Sequence, residues 1–466
     1  MSLTTSHVVP APREQVWDWH TRRGALTRLT PPFLPFTPLR QAERLSDGTT
    51  VFGLPAGLKW VSRHDLSNYR PGHRFTDVCT NAPIKLLANW RHVHEFADHP
   101  DGTLITDTVN TRLPAAAMAS FFAYRQQQLI NDISFLGRVS HLQPAEPLTV
   151  AVTGSRGLVG RALTAQLTTA GHRVIQLVRK NPKEDQRLWE PYYPAEDLLK
   201  GVDVLVHLAG EPIFGRFNDS HKRAVRDSRI IPTQRLARLV ADTDSVTTMI
   251  AASAVGIYGA DRGDEALTES TERGEGFLAD VVSEWEATTA PAREAGKRVL
   301  NVRFGAVLSG RGGMLPVLKA LFSTGLGGNF GDGNFWFPWI ALDDATDILI
   351  RGVLDPDWSG PVNAVSPTET LNRDFTAALS RQLRRPAIIP IPTIGPALIL
   401  GREGAQELAL ANQRVVPQML VDADHTFRYP TLDRALAHEL GGEELFDKTP
   451  ALEAADTGEL EEKSGE

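Results

Sequence analysis

The sequence predicts two unlike folded parts: a parallel α/β sheet that begins near residue 148, and ahead of it an antiparallel α+β domain over residues 1–142. Three observations carry this reading. Residues 148–160, LTVAVTGSRGLVG, run from an apolar β-rich stretch through Gly154, Gly157 and Gly160 into apolar residues at helical spacing. Further apolar strand patterns recur at residues 173–178, 202–210 and 249–259 with helical segments between them, the alternation that builds a parallel sheet. Residues 1–142 instead alternate in polarity between turn signals at Asp47-Gly48, Pro71-Gly72 and Asp101-Gly102, and close on a helical pattern over residues 115–142.

A chain of 466 residues exceeds one typical core, so two or three domains are expected. Hydrophobic content of 42% with 23% charge places it among soluble globular proteins. The net charge is −7, of which residues 447–466 supply −5, so the folded body is close to neutral and offers nucleic acid no basic surface. That acidic tail, poor in aromatics, is expected to be disordered. The single cysteine, Cys79, leaves no intrachain disulfide and reads as a small buried hydrophobe. The first twenty residues lack a basic region followed by an apolar core, so no secretory signal is expected. The longest apolar stretch, residues 386–400, holds four prolines and is too short for a bilayer. A cytoplasmic protein without membrane insertion is the expectation.

In chain order, residues 2–9 read as a strand, and Pro12 opens a helix containing Val16, Trp17 and Trp19. In one strand of the following meander Trp90, His92, His94 and Phe96 share a face. The two histidines read as neutral, hydrogen-bonded structural groups, and no metal-ligand set is assigned. The helix over 115–142 carries Phe121, Leu129, Ile133 and Phe135 among its apolar positions. Strand, short helix, curved antiparallel sheet and long final helix, with VVPAPREQVWDWH and LTRLTPPF, resemble the helix-grip fold of the START-like superfamily of polyketide cyclases and lipid-transfer domains. The resemblance implies an apolar cavity between helix and sheet, and an apolar ligand within it.

Residues 143–147, QPAEP, form a linker. In the strand–turn–helix beyond it, Gly154, Ser155, Arg156, Gly157, Leu158 and Gly160 form a turn that lets backbone approach a pyrophosphate, with a helix amino terminus facing the phosphates. This is the phosphate-binding turn of Rossmann-like folds, with its glycines spaced three and three. At the end of the second strand, where an acidic residue would bond a ribose 2′-hydroxyl, stands Arg179. With Arg156 it forms a phosphate clamp, so NADP(H) is the expected cofactor.

TGSRGLVG, HLAGEPI, HKRAVRDSRIIPTQRLARLV, SAVGIYG, VRFGAVLSGRGGML and FPWIALDDA resemble, in that order, the extended and atypical short-chain dehydrogenase/reductases. More narrowly they resemble the epimerase-like subgroup of nucleoside-diphosphate-sugar epimerases. The resemblance covers about residues 148–440 and implies a Rossmann-like epimerase domain over 148–365 and a small family-specific domain over 366–446. It puts Ala209 and Gly210 beside the adenine ribose and makes Ser253 the hydroxyl that polarises a substrate. It also places an aromatic group, Phe335, Trp336, Phe337 and Trp339, on the substrate side.

The chemistry departs from the family. Short-chain dehydrogenases pair a tyrosine acid/base with a lysine four residues later on one helix face. Four residues after Tyr69, Tyr124, Tyr192, Tyr193, Tyr258 and Tyr429 stand His73, Gln128, Glu196, Asp197, Arg262 and Asp433. The dyad is absent, and Tyr258 with Arg262 is the nearest substitute. The expected function is therefore nicotinamide hydride transfer, epimerase or reductase, on a small molecule such as a nucleotide sugar, with Ser253 and Tyr258 as candidate catalytic groups. The alternative is a non-catalytic protein that senses NADPH or binds a ligand.

Overall fold

The computed structural model describes residues 2–446 except 389 and 393, and at 116 and 117 the backbone only. The acidic tail over 447–466 lies outside the described residues.

The amino-terminal part is a seven-stranded sheet in the order Ser2–Val9, Gly102–Asn110, Arg91–His99, Arg74–Cys79, Lys59–His64, Thr49–Gly53, Thr37–Arg40. Every neighbouring pair is antiparallel. Strict alternation along Arg91–His99 buries His92, His94 and Phe96 and leaves Arg91, Val93 and Glu95 outward, as a one-faced antiparallel sheet requires. The helix Ala115–Arg138 packs on the buried face, Phe122 against Val109, and Leu129 and Ile133 against Val9, Phe96 and Ile105.

The second sheet has seven parallel strands in the order Gln186–Leu188, Arg173–Val178, Thr149–Thr153, Val204–His207, Thr248–Ala254, Arg298–Phe304, Gly360–Ala364. It is Rossmann-like, and its chain order reverses beside Thr149–Thr153, which opens a crevice at the carboxyl ends of the strands. Both faces are covered. On one, Val150, Val152, Ile250 and Leu300 pack with the helices Leu158–Thr169 and Leu342–Leu354. On the other, Ala151, Leu205 and Met249 pack with Leu236 and Val240 of the helix Asp219–Asp242. Double-sided burial is why these strands read as continuous apolar runs.

The two parts are joined by shared core and by charge. Phe135 and Val139, at the end of the long helix, sit in the core of the parallel sheet instead of that of their own sheet. Each such fully buried side chain contributes about 1.5–3 kcal/mol. Arg28 donates two hydrogen bonds to Asp132 at 2.8 and 2.6 Å and a third to Asp343 of the second part at 2.7 Å. Arg428 bridges in the other direction, to Asp132 at 2.6 Å and to Asp347 at 2.5 and 2.6 Å.

The described residues beyond 366 contribute to a cluster shared with the preceding segment. Helices Asn372–Leu383 and Leu432–Leu440 share one with Leu315, Phe322 and Trp339. Asp424 adopts a left-handed backbone with φ 48°, a conformation that short polar side chains tolerate better than most.

Candidate active site and cofactor cleft

The glycine turn is built from backbone contacts that leave no room for side chains. A Cβ on Gly160 would stand 2.3 Å from the Gly154 carbonyl oxygen, and one on Gly154, whose φ is +66°, 2.8 Å from the Leu208 carbonyl. The turn is therefore pressed between helix Leu158–Thr169 and the segment after the neighbouring strand. Thr153 Oγ1 fixes that segment by accepting from Leu208 N at 3.0 Å and Ala209 N at 3.2 Å, which sets Ala209 and Gly210 alongside Gly154. His207, bonded to the same hydroxyl at 2.7 Å, is held neutral by burial, which brings it down to about 4.

Three polar features here are left over. Ser155 Oγ is buried and has no partner. Arg156 and Arg179 are exposed, and neither has a carboxylate within ion-pair distance among the described residues. Arg229, which the sequence reading did not single out, lies under Gly210, its guanidinium 3.3–3.5 Å from where a Cβ would be. It packs over Trp285 at 5.2 Å and donates to the Val225 carbonyl at 2.9 Å. Burial lowers it to about 10, with Glu211 opposing only weakly. Its only signal in the sequence is a cation on the buried face of an amphipathic helix.

Ser253 ends a strand at the carboxyl edge of the sheet and donates to Glu286 Oε1 at 2.5 Å. Glu286 lies on helix Phe277–Ala287, where it also accepts from Arg303 Nε and Nη2, each at 2.8 Å. Neither Glu286 nor Arg303 was expected as a site residue. On that helix Leu278 and Val282 are buried, and Glu407 accepts from the first free amides, Phe277 N at 2.9 Å and Leu278 N at 2.6 Å.

Tyr258 is not presented to the cleft. Its ring is fully buried among Ile257, Leu267, Val282 and Val365. Its hydroxyl donates towards Asn363 Oδ1 at 2.8 Å and the Thr268 carbonyl at 2.9 Å, and accepts from Arg303 at 2.9 Å. Burial pushes the phenol up, Arg303 notwithstanding. The candidate Tyr258 thus stands at the end of the 3₁₀ turn Val255–Tyr258 with its ring in the core and its hydroxyl on Arg303, the guanidinium that also holds Glu286. The aromatic group is likewise taken up by packing, with Trp339 buried and donating to Thr370 at 2.9 Å, and Trp336 donating to Asp264 at 2.8 Å.

One cavity adjoins the glycine turn and a second lies within the amino-terminal part. One of about 260 Å³ lies beside Arg156, Gly157 and Leu158, and the amino-terminal part supplies its far wall through Thr27, Arg28 and Pro32. The other, also about 260 Å³, lies between the antiparallel sheet and its helix, walled by Leu29, Phe36, Phe52, Trp60 and Phe121. His92 and His94 form part of its floor beside Asp77. The sequence reading assigned no metal ligands because Asp77 is remote in sequence; register places it opposite His92.

Among the described residues no helix is long and apolar enough to cross a membrane. The sequence model of the NAD dependent epimerase/dehydratase family matches residues 150–363, and that of a domain of unknown function, DUF1731, matches residues 391–439. A nucleoside-diphosphate sugar epimerase of Corynebacterium glutamicum has a solved structure that is 60% identical, with a TM-score of 0.86, over 96% of this chain and 91% of that one. The human epimerase family protein SDR39U1, crystallised with NADPH, is 29% identical with a TM-score of 0.58, over 63% of this chain and 99% of that one. An epimerase family protein of Mycobacterium bovis is 40% identical over 293 residues, which are 62% of this chain and 96% of that protein. Taken with the parallel sheet and its glycine turn, these likenesses show that the chain belongs to the NAD dependent epimerase/dehydratase family.

Proposed function

We propose that the chain binds NADP(H) at the glycine turn and carries out nicotinamide-linked hydride transfer on a small alcohol or carbonyl, a nucleoside-diphosphate sugar being the leading class. The observation that carries this is a turn whose Gly154 and Gly160 admit no side chain, with an orphaned Ser155 hydroxyl, Arg156 and Arg179 free of any ion pair among the described residues, and the Arg229 guanidinium beneath Gly210. Those residues suit a pyrophosphate and a 2′-phosphate, and the NADPH complex of human SDR39U1 supports the same cofactor.

When bound, the nicotinamide supplies the hydride acceptor or donor. The proton is left to the chain's own residues. Arg303 grips the Glu286 carboxylate with two parallel bonds and holds it as an acceptor. Ser253 must then donate to Glu286, which leaves the Ser253 oxygen lone pairs to accept from a substrate hydroxyl. In oxidation the substrate proton passes to Ser253 Oγ as Ser253 gives its own to Glu286; reduction runs the relay backwards. Ser253 and Glu286 thus replace the Tyr-Lys dyad.

For the amino-terminal part we infer a START-like helix-grip domain that holds an apolar ligand. The largely apolar cavity supports it, although about 260 Å³ lies just below the common range of about 300–1,000 Å³.

The test is an assay of purified protein with NADP⁺ or NADPH against alcohols, ketones and nucleoside-diphosphate sugars. Turnover is expected in the wild type and in Tyr258→Phe, with loss in Ser253→Ala and Glu286→Gln. Loss on Tyr258→Phe with an unchanged melting temperature would overturn the relay. Tight NADPH binding with no turnover would favour the sensor reading, to which the missing dyad points.

A further inference from the structure

We propose that Asp77, His92 and His94 form a binding site for a divalent first-row transition-metal ion, with open coordination positions facing the amino-terminal cavity. The site does not depend on the cofactor reading or on what else the cavity holds. Its parts come from three adjacent strands. His92 and His94 project from one face of Arg91–His99, Asp77 stands opposite His92 on the neighbouring strand to one side, and Asp107 stands opposite His94 on the neighbouring strand to the other.

Distances suit an ion. Asp77 Oδ2 is 3.4 Å from His92 Nδ1 and 3.5 Å from His94 Nε2, and the three donor atoms lie within 4.8 Å of one another. Donors bound at 2.0–2.2 Å to a tetrahedral ion stand about 3.3–3.6 Å apart.

The remaining nitrogens are occupied. Asp107 Oδ1 lies 2.8 Å from His92 Nε2, in a hydrogen bond, and 2.8 Å from His94 Nδ1. A carboxylate behind a ligating imidazole is the arrangement that fixes tautomer and ring orientation in metal sites. With their N–H groups given to Asp107, His92 Nδ1 and His94 Nε2 aim lone pairs at the Asp77 carboxylate. Three electron-rich atoms converge on one point, which calls for a positive charge there. Protonating both rings is a poor way to supply it, since their centroids are only 3.7 Å apart. Arg125 also lines the cavity and its charge acts on Asp107 and Asp77, but it stands beyond ion-pair distance of both and donates to the Leu29 carbonyl at 3.2 Å.

The surroundings favour a bound ion over a surface one. His92 and His94 are each under one-tenth exposed, and Phe122 and Phe75 pack against the two rings at 5.3 and 4.1 Å. Two imidazoles and one carboxylate are borderline donors, suited to Zn²⁺, Fe²⁺ or Co²⁺ more than to Ca²⁺ or Mg²⁺.

The experiment uses the full chain stripped with a chelator, titrated with Co²⁺ as a spectroscopic probe and then with Zn²⁺ in competition. One equivalent of Co²⁺ should bind with the visible absorption of a four- or five-coordinate ion, and Zn²⁺ should displace it. His92→Gln and His94→Gln should each lower affinity more than a hundredfold. Asp107→Asn, which keeps all three donors, should lower it about ten- to hundredfold. Wild-type protein with an intact thermal transition that takes up no Co²⁺ or Zn²⁺ at millimolar concentration overturns the proposal. So does binding that survives the double variant His92→Gln/His94→Gln.

Discussion

The joint between the two sheets and the turn that faces the crevice are both made from charged and polar groups, yet they end in opposite states. At the joint both buried arginines are answered: Arg28 and Arg428 share Asp132, and each takes a second carboxylate, Asp343 or Asp347. His438 sits 3.5 Å from Asp343 and 3.0 Å from Glu443. At the turn the buried Ser155 hydroxyl has no partner, and among the described residues Arg156 and Arg179 have no carboxylate within ion-pair distance. Saturated networks hold parts of a protein in register, whereas an unpartnered hydroxyl beside two free guanidinium groups at a helix amino terminus suits an anion.

Breaking the saturated region should have the largest effect. Arg428→Met removes the partner of two fully buried aspartates and should cost about 3–5 kcal/mol, read as a lowered denaturant midpoint. Adding Asp347→Leu should recover part of that loss, because Asp347 is the carboxylate left without a cation, whereas Asp132 keeps Arg28.

A comparable effect, but on rate instead of stability, is expected at the crevice. Ser253→Ala and Glu286→Gln should each lower kcat by about 10²–10⁴ and leave NADPH affinity nearly unchanged; Ser253→Ala should also leave the melting temperature in place, whereas Glu286→Gln, which takes the carboxylate from the buried Arg303, should lower it. An unchanged kcat in Ser253→Ala would make Glu286 a structural partner of Arg303 alone.

The joint should also respond to pH. Burial opposes the charge on His438, but Glu443 and Asp343 outweigh it and raise the imidazole to about 10. Because the folded value lies above the ordinary 6.5, this stabilisation is full below pH 6.5 and is lost as pH rises to about 10. Asp344 and Glu439, each pushed up to about 7 by burial, add a loss between about pH 4 and 7. Stability from denaturant curves should therefore fall by up to a few kcal/mol between pH 6.5 and 10 in the wild type, and fall less in His438→Gln.

What the sequence disclosed follows the distance over which each feature is encoded. The glycine turn spans Gly154 to Gly160 between a strand and a helix that adjoin it in the chain, so it is readable from thirteen consecutive residues, although the close approach of Leu208 to Gly154 is not. Arg179 is readable because it directly follows a strand. Ser253 and Glu286 meet across 33 positions, and Asp77 reaches His92 only through strand register, which no local pattern specifies. Tyr258 is hard to place for the same reason: it is close to Ser253 in sequence, but its ring is buried after a 3₁₀ turn and its hydroxyl meets the Ser253–Glu286 pair only through Arg303. Arg229 and the Phe135 seam are likewise products of packing between elements.

The smallest expected effect is the most direct test. Arg179 is exposed and unpaired, so its replacement should leave the fold untouched and act on a 2′-phosphate alone. Calorimetric titration of wild type and Arg179→Ala with NADPH and with NADH separates the cases. One charge-assisted contact is worth about 1.5–3 kcal/mol, so NADPH should bind Arg179→Ala about ten- to a hundredfold more weakly while NADH is nearly unchanged. Equal losses for both cofactors, or no binding of either to the wild type, would contradict the assignment of the glycine turn and its arginines as an NADP(H) site.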